Sequence, residues 1–289
     1  MIIIMDITAA MVKQLRDMSG VAMMDCKKAL VECEGNIDNA LDLLRSNSAL
    51  KAEKKASRVA ADGVLKAFVG EDYATIIEIN SETDFAAKDS QFINFTNEVA
   101  EFITNNKIED INVLHESDIE SKRKTLVQSI GENIQVRRLE TLSYESEMNS
   151  GLYIHSDSKL ATVVVLSGGD EALAKDIAMH VAATNPICLS RDEIDQDVLE
   201  REKAIYLTQA KESGKPQEIM DKMVEGKLNR FLSEVSLVSQ PFVKDPDTSI
   251  EKLLNSNNAT IQSYARLKVG EGIEVETKNF ADEVAEQLK

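Results

Sequence analysis

Thr83, Asp84 and Phe85 bring a hydroxyl, a carboxylate and an aromatic ring together in the polar stretch Thr83-Asp84-Phe85-Ala86-Ala87-Lys88-Asp89. In one reading Phe85 projects as an apolar wedge and Asp84 polarises its rim, the chemistry of gripping a partner. In the other, Phe85 folds back on the following helix and Asp84 caps a backbone amide. Side-chain physics alone favours the second, because large apolar groups are mostly buried. No competing site emerges from the other reactive residues. Of the three histidines, His180 lies in an apolar helix and reads as a core histidine with one nitrogen satisfied. His115 reads as solvated, and His155, at a strand end beside a turn, as exposed and able to meet a partner. None stands at diagnostic spacing from a Cys, Ser or carboxylate, as nucleophilic catalysis requires. Gly214-Lys215-Pro216 lacks the upstream glycine of a phosphate loop, and proline replaces the magnesium-ligating hydroxyl. Cys26 and Cys33 are seven residues apart on one helix face, but two sulfurs without further ligands do not make a zinc site. They read as small buried hydrophobes in a reducing compartment. Asp and Glu scatter like surface charge. The expectation is a protein that is not an enzyme, with no catalytic residue, no metal and no cofactor.

The elements around this stretch must hold it. A strand from Tyr73 to Asn80 precedes it, paired through the Gly70-Glu71-Asp72 turn with an alternating strand from Gly63. A helix from about Ser90 follows, with Phe92, Phe95, Val99, Phe102 and Ile103 on one face. A helical stretch near 117–130 and a strand from Asn133 to Leu142 close this unit, 63–145. The pattern then recurs in 146–190, with a strand at 151–155, a buried-looking strand from Ala161 to Leu166 and a helix carrying Leu173, Ile177 and Val181. Its closing strand, Tyr264 to Val269, falls in 238–269 and echoes Val136-Arg137-Arg138-Leu139. Between these parts, 191–237 reads as an antiparallel helical hairpin: Ile194, Val198, Ile205 and Leu207 mark one helix, and Met220, Val224, Leu228, Phe231 and Val235 the return. Pro216 is expected at the first helical position of the return helix. Such an arm suits contact or self-association.

Ahead of the core, 1–48 reads as three short helices. Thr8 caps a stripe of Met11, Val12, Leu15 and Met18, and Ser19-Gly20 ends it. A second helix runs from Met23 to Val31 and is closed by Gly35, and a third, capped by Asn36 or Asp38, carries Ile37, Ala40, Leu41 and Leu44. So small a core suits a docking module. The stretch 49–62, with Lys51, Lys54, Lys55 and Arg58 among alanines, reads as a solvated linker helix, and 270–289 ends in a short amphipathic helix near Phe280–Leu288. The fold class expected is α+β.

A net charge of −17 opposes nonspecific binding to nucleic acid or an anionic membrane. No run approaches the ~18 apolar residues of a spanning helix, and Met1–Ile4 lacks the basic start of a signal peptide. Met5-Asp6 would serve equally as a start, which would make Met1–Ile4 an extension. A cytoplasmic protein is expected.

Ordered segments along nearly the whole chain resemble bacterial elongation factor Ts. They include Met23-Met-Asp-Cys-Lys-Lys-Ala-Leu30, Ala60-Ala-Asp-Gly63, Thr83-Asp-Phe85, Ile130-Gly-Glu-Asn133, Met179-His-Val-Ala-Ala183, Ser213-Gly-Lys-Pro216, Gln240-Pro-Phe242 and Val269-Gly-Glu-Gly-Ile273. The resemblance implies a ubiquitin-associated-like (UBA-like) N-terminal module, a core of two related α+β subdomains, a coiled-coil arm and a C-terminal module. It implies a guanine-nucleotide exchange factor that binds EF-Tu·GDP, expels GDP and leaves elongation factor Tu (EF-Tu) nucleotide-free for GTP. Thr83, Asp84, Phe85 and Ala86 would then disturb the partner's magnesium ion. Arg16, Met23, Met24 and Lys27 match the docking surface, and Ile130 and His155 match core positions that face EF-Tu. Ala86 departs from the family's usual Val, which leaves Phe85 as the wedge. A multivalent adaptor without effect on nucleotide is the competing reading.

Overall fold

A computed structural model of the chain describes residues 7–274. Met1–Ile4 and the helix expected near Phe280–Leu288 lie outside the described residues.

Three helices open the fold: α1 (Ala9–Ser19), α2 (Met23–Glu32) and α3 (Ile37–Lys55). Thr8 caps α1 by accepting from the Met11 amide, and Asn36 caps α3 by accepting from Asn39. The Gly35 amide reaches back to the Leu30 carbonyl at 2.8 Å and closes α2. Val12, Leu15, Val21, Cys26, Leu30, Ala40 and Leu44 form the small core. Met18, expected on that apolar stripe, is half exposed. The expected separate linker helix is instead a continuation of α3 to Lys55. No proline or glycine interrupts the run, and its inner face is used: Ser48 is buried and Ala52 joins the core of the next unit.

The first core unit comprises β1 (Asp62–Val69), β2 (Tyr73–Ser81), α4 (Asp84–Ala87), α5 (Ser90–Asn106), α6 (Ile111–His115), α7 (Asp118–Ile130) and β3 (Gln135–Ser143). Its antiparallel sheet has the order β1-β2-β3. The second unit begins with β4 (Asn149–Ile154), β5 (Leu160–Ser167) and α8 (Glu171–Thr184). After an insertion, α9 (Gln196–Glu212) and α10 (Gln217–Val235), come β6 (Pro241–Phe242), β7 (Asp245–Ser249), α11 (Ile250–Ser256) and β8 (Thr260–Lys268). Its main sheet, β4-β5-β8, repeats the antiparallel order of the first. The repeat extends to an irregularity. The register slips between Glu78 and Ile79 where β2 meets β3, and between Val165 and Leu166 where β5 meets β8.

The two sheets pack on each other through Leu65, Ile76, Val163, Val165 and Leu267. Helices cover the outer faces. Phe92, Phe95, Val99 and Ile103 of α5, with Leu126 and Val127 of α7, lie on Ile77 and Ile79. Leu173, Ile177 and Val181 of α8, with Ile250 and Leu254 of α11, lie on Val164 and Leu166. The result is a helix–sheet–sheet–helix stack. Each central strand is buried on both faces; β5 is accordingly almost wholly apolar, whereas β2 carries Thr75, Glu78 and Asn80 among its buried residues. Burying each of these large side chains contributes about 1.5–3 kcal/mol.

Glu78 departs from the expectation that carboxylates sit on the surface. It lies on β2 with no exposure and accepts from Arg137 Nη1 (3.1 Å), Asn80 Nδ2 (3.0 Å), the Gly270 amide (2.8 Å) and Arg138 Nε. Burial pushes its pKa up, but the Gly270 amide, Arg138 and Asn80 outweigh that and hold it below the ordinary carboxylate value. The network fastens the turn after β8 to the first sheet. At Gly270 (φ 74°) a Cβ would stand 2.2 Å from the Ala61 carbonyl oxygen, so only glycine fits.

His180 is fully buried, as expected, but both its nitrogens are engaged. Nδ1 accepts from the Val243 amide (3.3 Å), which leaves the proton on Nε2 to donate to Gln240 Oε1 (2.8 Å). His115, though exposed, has its Nε2 within 3.0 Å of the Val136 carbonyl. Helices α9 and α10 form the expected antiparallel hairpin, in which Ala210 and Val224 are the buried residues. Pro216 caps α10 one residue earlier than expected, at the N-cap.

Candidate partner-binding site

The site begins with four residues that could not form a helix unaided. α4 holds only Asp84–Ala87, fewer residues than a helix needs for stability in water, so its surroundings must hold it. Thr83 supplies the N-cap: its Oγ1 accepts from the Ala86 amide at 3.2 Å. Glu132 grips Thr83 from the other side, accepting from the Thr83 amide (3.0 Å) and hydroxyl (2.7 Å). Ser81 Oγ donates to the Thr83 carbonyl (2.9 Å). Ala86 and Ala87 are buried beneath the turn.

Phe85 points the other way. At 80% exposure it is the most exposed of the large apolar side chains described. The reading in which it folds back onto α5 is therefore overturned: the ring of Phe92 already fills that interior, with no exposure. Asp84 does not cap an amide either; Thr83 has that role. Asp84 pairs with Lys88 at 2.7 Å, and the Lys88 hydrogen bond, helped by the Lys88 and Lys159 charges, holds its carboxyl below the ordinary value. Of the four residues Thr83, Asp84, Phe85 and Ala86, only Ala86 is buried; Thr83 and Phe85 are exposed and Asp84 is partly so, with the Thr83 hydroxyl engaged by Glu132 and the Ala86 amide.

The turn between β4 and β5 borders this surface. Ser158 accepts from the Leu65 amide of β1 (2.7 Å), and Lys159 pairs with Asp62 at 2.9 Å. This clamps the turn to β1, the strand beneath α4, and brings Lys159 within electrostatic range of Asp84. His155 stands in the same turn, roughly half exposed, with Nδ1 3.0 Å from Asp157. The amide of Lys159, and then His155, hold Asp157 below its ordinary pKa. His155 and Asp84–Phe85 thus share one end of the core. Ile130 is only half-buried and packs against the first core; it ends α7 just before Gly131 and Glu132.

In the helical module Arg16, Met23, Met24 and Lys27 are all exposed, the methionines by 47% and 65%. Two further apolar residues join them: Met18 (50%) and Val31 (60%). Met24, Lys27, Lys28 and Val31 line one shallow groove on α2. Their i, i+3, i+4, i+7 spacing was the available signal for Val31. The module is tied to the core by Asp25, which accepts from Lys51 (2.9 Å) and Gln128 (3.3 Å). Ser129 Oγ donates to Gln91 Oε1 at the start of α5 (2.7 Å) and lies 3.5 Å from the Gly20 carbonyl. Ser129 thus stands between the α1–α2 turn and the helix that follows α4.

Among the described residues no group of three or more His, Cys, Asp or Glu is arranged to hold a metal ion, and no helix is long and apolar enough to cross a membrane. Fold and site together define a modular α+β protein whose distinctive exposed chemistry is that of a contact surface. Residues 82–271, more than half of the chain, match the family described as Elongation factor TS. The Elongation factor Ts of Hahella chejuensis is 50% identical over 285 residues, covering 98% of this chain and 99% of the relative. That of Marinobacter nauticus is 50% identical over 281 residues, 96% of each chain. That of Hydrogenovibrio crunogenus is 46% identical over 289 residues, 97% of each. The chain belongs to the elongation factor Ts family and is a translation elongation factor.

Proposed function

We propose that this chain is a guanine-nucleotide exchange factor that binds EF-Tu·GDP, promotes GDP release and leaves nucleotide-free EF-Tu ready for GTP. The observation that carries the reading is Phe85, a ring 80% exposed on a helix whose Thr83 cap is held by Glu132 and Ser81. Leaving an aromatic ring in water forgoes about 1.5–3 kcal/mol of burial, so a ring held outward implies a partner that buries it. Phe85 is the wedge into the partner's nucleotide domain and Asp84 polarises its edge. Thr83 and Ala86 seat the wedge. Arg16, Met23, Met24 and Lys27, with Met18 and Val31, provide docking area; His155 adds a polar contact beside the wedge, and Ile130 stiffens the adjoining segment. The chain itself needs no cofactor, metal or catalytic residue, and it works in the cytoplasm with its partner.

The physical requirement is modest. A nucleotide held at nanomolar affinity is worth about 12 kcal/mol. The factor need only bind the nucleotide-free partner more tightly than the loaded one, and linkage then makes it weaken GDP as GDP weakens it. Magnesium and loop amides hold the phosphates, so small shifts of those groups release them. Release of fluorescent GDP from EF-Tu tests the reading: this protein at saturation should accelerate it, and no acceleration would favour the adaptor. Phe85→Ala should lower the maximal rate at least about tenfold. Its melting temperature should stay near that of the unsubstituted protein, since replacing an exposed side chain changes stability by only about 0.5 kcal/mol. Parallel losses of stability and rate would return Phe85 to a packing role.

A further inference from the structure

Thr83 has one hydroxyl proton and two lone pairs. To cap α4 it must turn a lone pair toward the Ala86 amide. Glu132 settles that orientation. One carboxylate oxygen takes the hydroxyl proton at 2.7 Å and the other takes the Thr83 amide at 3.0 Å, so the free lone pair faces Ala86 at 3.2 Å. With Ser81 on its carbonyl (2.9 Å), every polar group of Thr83 is bonded within the protein. Glu132 is fixed in turn by its neighbours. Lys55 Nζ donates to the Gly131 carbonyl, the Asn133 amide donates to Glu82 (2.6 Å), and Asn133 Nδ2 donates to the Arg58 carbonyl (2.8 Å). The 131–133 turn is thus pinned to the end of α3 and to the residue before Thr83. This two-point carboxylate grip spans 49 positions of sequence and meets the turn that carries the outward ring.

We infer that Glu132 is a positioning residue for the wedge: it holds the Thr83 cap, and through it α4, so that Phe85 meets the partner pre-aimed. The inference rests on the exchange reading above. Pre-organisation lowers the cost of reaching the distorted, nucleotide-free partner, so losing it belongs in the maximal rate more than in initial docking. Docking relies on the α2 surface, which Glu132 does not touch.

The test compares Glu132→Ala, Glu132→Gln, Phe85→Ala and the Glu132→Ala/Phe85→Ala double variant, each full-length, with EF-Tu loaded with fluorescent GDP. Glu132→Ala should cut the maximal release rate about tenfold while the half-saturating concentration shifts less than about threefold. Glu132→Gln, which retains one acceptor, should fall between. In the double variant the loss should be no greater than that of Phe85→Ala alone, because a mis-aimed alanine costs nothing further. Amide hydrogen exchange of free Glu132→Ala should quicken at Ala86 and Ala87 by about tenfold or more, with β2 unchanged. Independent, multiplicative losses in the double variant, or unaltered protection of Ala86 and Ala87, would overturn the inference while leaving the exchange reading intact. Failure of the unsubstituted protein to accelerate release would remove the exchange reading, and the role assigned to Glu132 with it.

Discussion

Phe85 and Phe92 lie seven residues apart in neighbouring elements, yet one is 80% exposed and the other fully buried. The difference comes from their helices. Phe92 lies on the core-facing side of α5, whereas the buried face of α4 is taken by Ala86 and Ala87, which leaves Phe85 the outward position. His180 is another residue whose surroundings decide its chemistry. Both nitrogens are bonded in a fully buried site, and burial lowers its pKa, against the opposing effect of the hydrogen bond it donates to Gln240. As pH falls through the ordinary imidazole value of about 6.5, the unfolded chain takes up the proton before the folded one. Stability from this site is therefore full above that range and is lost as pH falls. The urea midpoint should drop between pH 7.5 and 5.5, and His180→Gln should flatten that slope. An unchanged slope would mean His180 is protonated in the fold.

At the scale of elements, the hairpin and α4 are opposite cases. α4 is four residues long and depends on Thr83, Glu132 and Ser81. α9 and α10 are 17 and 19 residues long and pack mostly on each other. At its base the hairpin is closed by the bridge between Cys188 and Ser236, and by the Leu237 amide donating to the Cys188 carbonyl (3.0 Å). The second sheet therefore does not need the arm. Replacing residues 192–233 by a short glycine linker should shift the melting temperature of the core by less than about 5 °C. A larger fall, or loss of cooperative unfolding, would show that the arm supports the sheet. Ile205 and Ile219, 41% and 45% exposed, leave apolar surface on the arm.

For the whole molecule, the question is whether the helical module and the core behave as one body. α3 belongs to both: Leu44 is in the core of the module and Ala52 in that of the first sheet. Lys51–Asp25 and Gln128–Asp25 brace the joint. The two should unfold together. All five tyrosines lie at or beyond Tyr73, so tyrosine fluorescence reports the core and, through Tyr206 on α9, the arm, but not the helical module, while circular dichroism at the helical wavelength reports every helix. The two urea transitions should coincide; an earlier circular-dichroism loss would mean that the module melts alone.

Much of this was written locally. Thr8 and Asn36 announce helix starts by side-chain chemistry, Gly20 and Gly35 announce stops, and the apolar spacing of α5 and α8 names the residues beneath them. The duplicated strand–strand–helix–strand pattern follows from periodicity, and the net charge of −17 opposes nonspecific binding to polyanions without reference to shape. The tertiary structure decided what depends on neighbours distant in sequence. Whether Phe85 turns in or out depends on which residue fills the interior, and on Glu132 holding Thr83 from 49 positions away. Whether Glu78 is a surface carboxylate or a buried latch depends on Arg137, Arg138 and Gly270 converging on it. Capping and periodicity act within a few residues of chain, whereas burial is a property of the packed whole, so the direction of the exposed ring could be settled only in three dimensions.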